Sequence, residues 1–377
     1  MILLLNGFGV GSFHQHRLIP HLLRQQNDDD SVAVDGGDVC NHHQTIYCID
    51  YLGQGRSWPV DCKDGFGDSE KDLQYSADTW VEQIIDFIEQ VILVEEEEKG
   101  HQNKIDDKEI KTTTSKRKVH LVGNSVGGHI AAHIARRRPD LISSICLLNP
   151  TPVWGSKLPG WNGHLPAPVI PKAVGRYLFD RIRDLKTVEQ FLVATYSRKE
   201  ALTQELMHQI RNCTLGNGGH AAFASIMWSP PLNSYDDGRK GNFQDCLSQV
   251  SCDVFLIYGQ DDPWCKPAFA KNMLKALEGR RKDLSAVHRY IEISNAGHCP
   301  NHEAPQAVGH LVKSWVGAKD RSKEQLSLIG TTVSTTARQQ QMHHKTFREE
   351  WGEHSIFEYD REEIKLGWVD RFVTSFM

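Results

Sequence analysis

Apolar positions along the chain repeat with two periods, and the alternation between those periods predicts the fold. The chain opens on an unbroken run, Ile2 to Leu5, which reads as a strand buried on both faces. The run ends in a glycine-rich turn, Gly7-Phe8-Gly9-Val10-Gly11. Leu18 to Leu23 spaces its apolar residues as a short helix, and Thr45 to Ile49 returns to strand before a turn at Gly53-Gln54-Gly55. Beyond Ser76, an N-cap residue, apolar side chains recur at Val81, Ile84, Ile85, Ile88, Val91 and Ile92, the spacing of an amphipathic helix. Strand Val119 to Val122, helix Val126 to Arg137 and strand Ile142 to Leu148 follow, which is the alternation of a parallel sheet with right-handed crossovers. Strands resume at Val254 to Tyr258 and Tyr290 to Ile293.

Where the periodicity fails, it fails in blocks. Residues 27–43, rich in Asp and Gly, and the mixed-charge stretch 95–117 read as solvated insertions in the first part of a core covering 1–150. Residues 151–250 begin rich in Trp, Pro and Gly and continue in helical patterns such as Val188 to Tyr196, as expected of a helical cap over the strand ends. The core closes over 251–318. A polar tail, 319–377, carries Phe357, Trp368, Phe372 and Phe376 and receives no role.

With 39% hydrophobic and 24% charged residues, the chain has ample material for a large core. A formal net charge of -5 supplies no field for phosphates and argues against a nucleic-acid partner. Nine cysteines form no Cys-x-x-Cys pair, which points to a reducing compartment, and no apolar run is long enough to span a bilayer.

Chemistry enters at Gly123-Asn124-Ser125-Val126-Gly127-Gly128, set between a buried strand and an Ala-rich helix. A serine on so sharp a turn has its hydroxyl pushed above the sheet, and flanking glycines are needed because a Cβ would clash there. This is the nucleophile turn of the α/β-hydrolase fold, a mostly parallel sheet flanked by helices, here with an inserted helical cap. A serine hydroxyl needs a base, and the base needs an acid to orient it. In this fold they follow in the order Ser, Asp or Glu, His. Strand Val254 to Tyr258 runs into Gly259-Gln260-Asp261-Asp262, and the last strand into Gly297-His298. Asp262 is preferred to Asp261 because the acid three residues past the strand-ending glycine can turn to the sheet top. The backbone N–H groups of Val126 and Phe8 are the expected oxyanion donors.

Other motifs weigh less. Gly7-x-Gly9-x-Gly11 with Asp50 superficially resembles a dinucleotide fingerprint, but the glycine spacing is wrong and Phe13, His14 and His16 follow the third glycine. His120, His129 and His133 show no converging metal set, Gly216 to Gly219 follows no strand, and Cys299 reads as a buried thiol. No metal or cofactor is expected.

Longer phrases carry a resemblance. Asn6 to His14, Tyr51-Leu-Gly-Gln-Gly55, Leu148-Asn-Pro-Thr-Pro-Val-Trp-Gly155, Phe223-Ala-Ser-Ile-Met227, Tyr258 to Trp264 and Ala296-Gly-His-Cys-Pro300 are similar to the pheophytinases of plants and algae over about 1–318. The resemblance implies a serine carboxylic-ester hydrolase that removes phytol from pheophytin to give pheophorbide in the plastid, during chlorophyll breakdown. It implies Ser125 as nucleophile, His298 as base and Asp262 as its orienter. Trp154, Phe223, Met227 and Trp228, with Trp161, Phe179 and Phe191, are the expected lining of a pocket for an apolar small-molecule ester. Asn6 stands where that family has Pro. A transit peptide and an antiparallel strand pair precede the position of Met1 in the family, so the resemblance implies an upstream segment. Peripheral membrane association is compatible with such a substrate, and protein partners are not readable. The alternatives are a lipase-like or thioesterase-like hydrolase of other long-chain acyl esters, and a ligand-binding receptor or scaffold on the same fold.

Overall fold

Ile2–Leu5 forms β1, and every one of its residues is buried because both faces of the sheet are covered. The computed structural model describes residues 1–24, 44–58, 75–95, 117–152, 160–165, 167–216, 219–235, 241–280, 286–320 and 346–364. The expected insertion 27–43, nearly all of 95–117, and Trp154, Trp368, Phe372 and Phe376 lie outside the described residues.

The strands are β1, β2 (Ile46–Cys48), β3 (Val119–Asn124), β4 (Ile142–Leu148), β5 (Asp253–Gly259), β6 (His288–Ile293), β7 (Thr346–Trp351) and β8 (His354–Glu358). They make one eight-stranded sheet in the order β2-β1-β3-β4-β5-β6-β8-β7. β2 through β6 pair in parallel, and β8 and β7 add to the β6 edge antiparallel.

Alternate strand residues feed two cores, as the period of two demands. Leu3, Leu121, Leu147, Leu256 and Tyr258 pack on one face against α2 (Ala77–Phe87) and α3 (Val126–Arg137). Ile2, Leu4, Val122, Cys146 and Ile257 pack on the other against α1 (Ile19–Leu23) and a C-terminal helix, Pro305–Asp320. Ser76 caps α2 by accepting from Thr79 N at 3.1 Å, and the helix runs on through a π-turn, Ile88–Ile92.

Between β4 and β5 lie α4 (Val169–Ile182), α5 (Leu185–Thr195), α6 (Gln204–Asn212), α7 (Gly219–Trp228) and α8 (Phe243–Ser248). The last of these packs on the core rather than over the strand ends, with Phe243 stacked on His129 of α3 at 4.5 Å. After β5 comes α9 (Ala270–Glu278), and after β6 come α10 (Pro300–Glu303) and α11, the Pro305–Asp320 helix.

The tail to which the sequence assigned no role supplies β7 and β8. Ile356 is fully buried, and Arg289 of β6 forks onto Glu358 of β8 at 2.8 and 3.1 Å. Ser294, just past β6, donates its N–H to Ser355 O at 3.0 Å and accepts from Ser355 N on its side-chain Oγ at 2.7 Å, and Asn295 Nδ2 donates to Glu353 O at 2.8 Å. The hairpin therefore braces the strand end that leads to His298. Among the described residues no helix is long and apolar enough to cross a membrane.

Candidate active site

Ser125 stands between β3 and α3 with φ 55° and ψ -119°, a conformation that suits glycine and strains any L side chain. The neighbours leave no room for relaxation. A Cβ at Gly123 would lie 2.3 Å from Gly127 O, and one at Gly127 would lie 2.6 Å from the carbonyl oxygens of both Leu5 and Asn6. The glycines thus let α3 start against the strand ends, directly after Ser125. Val126 N–H, first in the helix, has no intrahelical acceptor by position.

Asp262 and His298 meet past the ends of β5 and β6. His298 Nδ1 lies 2.7 Å from Asp262 Oδ2, and the Asp262 carboxylate is fully buried. That carboxylate is held on every side: Trp264 N and Cys265 N donate to Oδ1 at 2.7 and 3.0 Å, and Asn149 Nδ2 donates to Oδ2 at 2.7 Å. Asp261 is exposed instead and accepts from Ser197 Oγ at 2.7 Å. Burial acts to depress the His298 pKa, but the hydrogen bond and charge of Asp262, with the nearby Cys265 thiol, outweigh it and raise the value. Asn124 Nδ2 donates to His298 O at 2.9 Å, so the serine and histidine loops are tied through backbone neighbours. Among the described residues no hydrogen bond joins Ser125 Oγ to the imidazole, a contact that commonly tightens only once substrate is bound.

Two residues essential to this geometry were not found from the sequence. Asn149, at the end of β4 with φ 42°, also accepts from Gly259 N at 2.8 Å and so bridges two strand ends. Glu303, buried in α10, accepts from Gly297 N at 3.0 Å and Cys299 N at 3.3 Å through one oxygen. Through the other it accepts from Ser197 N at 2.8 Å and Arg198 N at 3.1 Å. It clamps both sides of His298 to the end of α5. The sequence shows only a glutamate three residues past Pro300 and five past His298; its burial is visible in the structure alone.

The turn after β1 is equally determined. Asn6 Nδ2 donates to Ile49 O at 3.0 Å, and Tyr51 Oη donates to Asn6 O at 2.8 Å. Asp50 takes Ser12 N at 2.5 Å and Arg56 N at 3.0 Å, so its carboxylate serves two turns rather than a ribose. Gly7 of this turn approaches Ser125, where a Cβ would lie 3.5 Å from the serine Cβ.

Phe8 stacks on Phe223 at 6.3 Å, and both line an apolar cleft of ≈ 610 Å³, counted to its open mouth, with Trp58, Phe179, Ile182 and Ile226. Ser125, Asp262 and His298 do not line it; Phe8, which does, directly follows Gly7, the residue that approaches Ser125. Of the expected pocket residues on α7, Phe223 lines this cleft and Met227 and Trp228 do not. Ile226 and Met227 flank Phe223 on opposite sides of α7, and the cleft runs along the Ile226 side. Trp228, farther round the helix, packs on Trp161 at 5.9 Å.

Behind His298 sits a buried polar cluster. His14 Nε2 and Tyr196 Oη are 2.7 Å apart, and the His14 ring stacks on His302 at 4.8 Å. Burial first, then the charges of His16 and His298, lowers the His14 pKa to about 3. Burial, then His14, Arg17 and His16, lowers that of His302 to about 2. Burial likewise raises the Cys299 thiol well above its ordinary value, which leaves it a poor nucleophile. His120 and His129 are packed residues bonded to Ser144 Oγ at 2.8 Å and Thr151 O at 3.0 Å. Among the described residues one set, Asp262, Cys265 and His298, brings metal-ligating atoms within 4.8 Å of one another, and two of its members are already bonded together.

Comparison with known proteins agrees with this architecture. The chain is 28% identical over 357 residues to "Pheophytinase, chloroplastic" of Arabidopsis thaliana, covering 84% of this chain and 60% of that protein. Among solved structures, a thermophilic esterase from Thermogutta terrifontis superposes with TM-score 0.50 at 16% identity, covering 85% of this chain and 90% of the other. Haloalkane dehalogenase DbeA from Bradyrhizobium elkani gives TM-score 0.53 at 16% identity, with the same two shares. A family model described as alpha/beta hydrolase fold matches residues 1–305, and the chain belongs to that family.

Proposed function

We propose that the chain is a serine carboxylic-ester hydrolase acting through an acyl-enzyme on a long apolar ester, the phytyl ester of pheophytin. The observation that carries the reading is the Asp262–His298 bond of 2.7 Å beside a strained Ser125 at the neighbouring helix start. Ser125 Oγ attacks the ester carbonyl while His298 Nε2 takes its proton, and the imidazolium is held by Asp262. The N–H groups of Phe8 and Val126 receive the oxyanion. His298 then protonates the departing alcohol oxygen, phytol leaves, and a water deprotonated by the same imidazole releases the acid and frees Ser125. No cofactor takes part.

The phytyl ester is favoured by the likeness to the Arabidopsis pheophytinase and by a cleft walled with Phe8, Phe179, Phe223 and Trp58. The chloroplastic relative makes the plastid the compartment this reading implies. An apolar cleft also suits other long acyl esters, which is the second reading. The test is phytol release from pheophytin, followed by chromatography beside chlorophyll and simple long-chain esters. Ser125→Ala is expected to lower turnover at least about a thousandfold; undiminished release from that variant would sink the mechanism. Preference for simple acyl esters would select the second reading, and labelling of Ser125 by a fluorophosphonate without turnover of any ester would indicate a binding protein on the same fold.

A further inference from the structure

Six of the eleven large apolar side chains exposed among the described residues lie on two neighbouring helices, Val169, Ile170, Val174 and Tyr177 on α4 and Phe191 and Val193 on α5. On α4, Ile170, Val174 and Tyr177 fall at i, i+4 and i+7, a single stripe, with Val169 and Ile170 exposed to 81% and 76%. A stripe of this kind on a helix calls for a partner.

The other side of α4 is already occupied. Gly175 is pressed on α7, where an added Cβ would lie 2.4 Å from Ala224 Cβ, and Phe179 and Ile182 wall the apolar cleft. The charge along the helix then selects the partner. From Val169 to Arg183 it carries Lys172, Arg176, Arg181 and Arg183 against Asp180 alone, in a chain whose formal net charge is -5. Arg183 pairs with Asp180 at 2.8 Å, and the Arg181 guanidinium lies 5.5 Å from the Tyr177 ring, directly beside the stripe. An apolar stripe rimmed by cations is the pattern that lies in the surface plane of an anionic bilayer.

We propose that α4 is a docking face for an anionic lipid bilayer, with Val169, Ile170, Val174 and Tyr177 seated at the acyl boundary and Arg176 and Arg181 against the headgroups. The helix that meets the bilayer is then also one wall of the cleft. An apolar ester dissolved in lipid reaches the site without crossing water. This use of the face rests on the ester reading above, but the lipid contact is measured without substrate.

The test is sedimentation of the full chain with vesicles of mixed phosphatidylcholine and phosphatidylglycerol and with vesicles of phosphatidylcholine alone. The chain is expected on the mixed vesicles, released by high salt. Binding is expected to fall about tenfold or more in Ile170→Ser/Tyr177→Ser and in Arg176→Glu/Arg181→Glu, while hydrolysis of a short soluble ester stays unchanged in both. Absence from mixed vesicles, equal binding to the neutral ones, or variants that bind as the parent does would overturn the proposal. So would light scattering that shows a dimer dispersed by Ile170→Ser/Tyr177→Ser, since the face would then belong to a second copy. Vesicle binding without ester turnover would leave the docking face standing and remove the proposed function; turnover without vesicle binding would do the reverse.

Discussion

Asn149 donates its side-chain amide to Asp262 Oδ2 at 2.7 Å, the same oxygen that lies 2.7 Å from His298 Nδ1. Two partners on one oxygen fix the carboxylate against the imidazole, and Asn also tolerates the positive φ of 42° at this strand end. Asn149→Ala is expected to lower kcat about tenfold with KM little changed. It should also cost about 1–3 kcal/mol of stability, because Gly259 N loses its acceptor. Steady-state kinetics on a soluble ester and thermal unfolding check both; a change confined to KM would place Asn149 in substrate binding instead.

Strain at Ser125 gives a prediction of the opposite sign. Its φ of 55° and ψ of -119° are accessible to glycine and costly for alanine. Both Ser125→Gly and Ser125→Ala are expected to be inactive, with the glycine variant more stable than the alanine variant by about 1 kcal/mol. Equal unfolding temperatures would mean that the turn holds no strain.

Glu303 stabilises the loop that bears His298 through four backbone N–H groups. Burial raises its pKa, against the lowering by those donors, first among them Arg198 N. Glu303→Gln keeps the volume but puts an NH₂ where one oxygen accepted. A loss of about 2–4 kcal/mol and a roughly tenfold lower kcat are expected, with the residual activity still requiring Ser125. Unaltered kcat in a destabilised variant would restrict Glu303 to folding.

The buried histidine pair is expected to make the fold less stable in acid. Folded-state values lowered to about 3 for His14 and about 2 for His302 mean that the unfolded chain binds more protons below the ordinary histidine value of about 6.5. The stability these neutral rings represent is therefore full above pH ~6.5 and is withdrawn as pH falls toward the folded values, by about 1.4 kcal/mol per pH unit for each group. Denaturant titrations between neutral and mildly acidic pH should show that slope, and His302→Phe should reduce it. An identical slope in that variant would assign the acid sensitivity elsewhere.

Much of this was legible in the primary structure for a physical reason. Strands buried on both faces read as largely apolar runs, which is why β1, β3, β4 and β5 stand out, with Ser125 and Asp262 just past the ends of two of them; His298 follows β6, a strand of mixed character marked by Tyr290 to Ile293. The β7–β8 hairpin did not stand out. Its strands mix charge with scattered aromatics, Thr346 to Trp351 and His354 to Glu358, because an edge pair needs only Ile356 and a few neighbours turned inward. Asn149 and Glu303 escaped because their roles are bonds to backbone N–H groups and to another side chain from distant segments, and neither has a period.

The groups around the site come from consecutive ends of β3, β4, β5 and β6, whose ladders run Asn124↔Leu148, Leu148↔Ile257 and Gly259↔Ile293. The spacing of those strand ends is thus inherited from the backbone ladder, and the side-chain bonds of Asn149 and Glu303 hold the loops beyond them. The interior can drift through hydrophobic exchanges over evolutionary time without moving the reacting atoms, whereas a single-residue slip between any two of these strands would misalign the site at once.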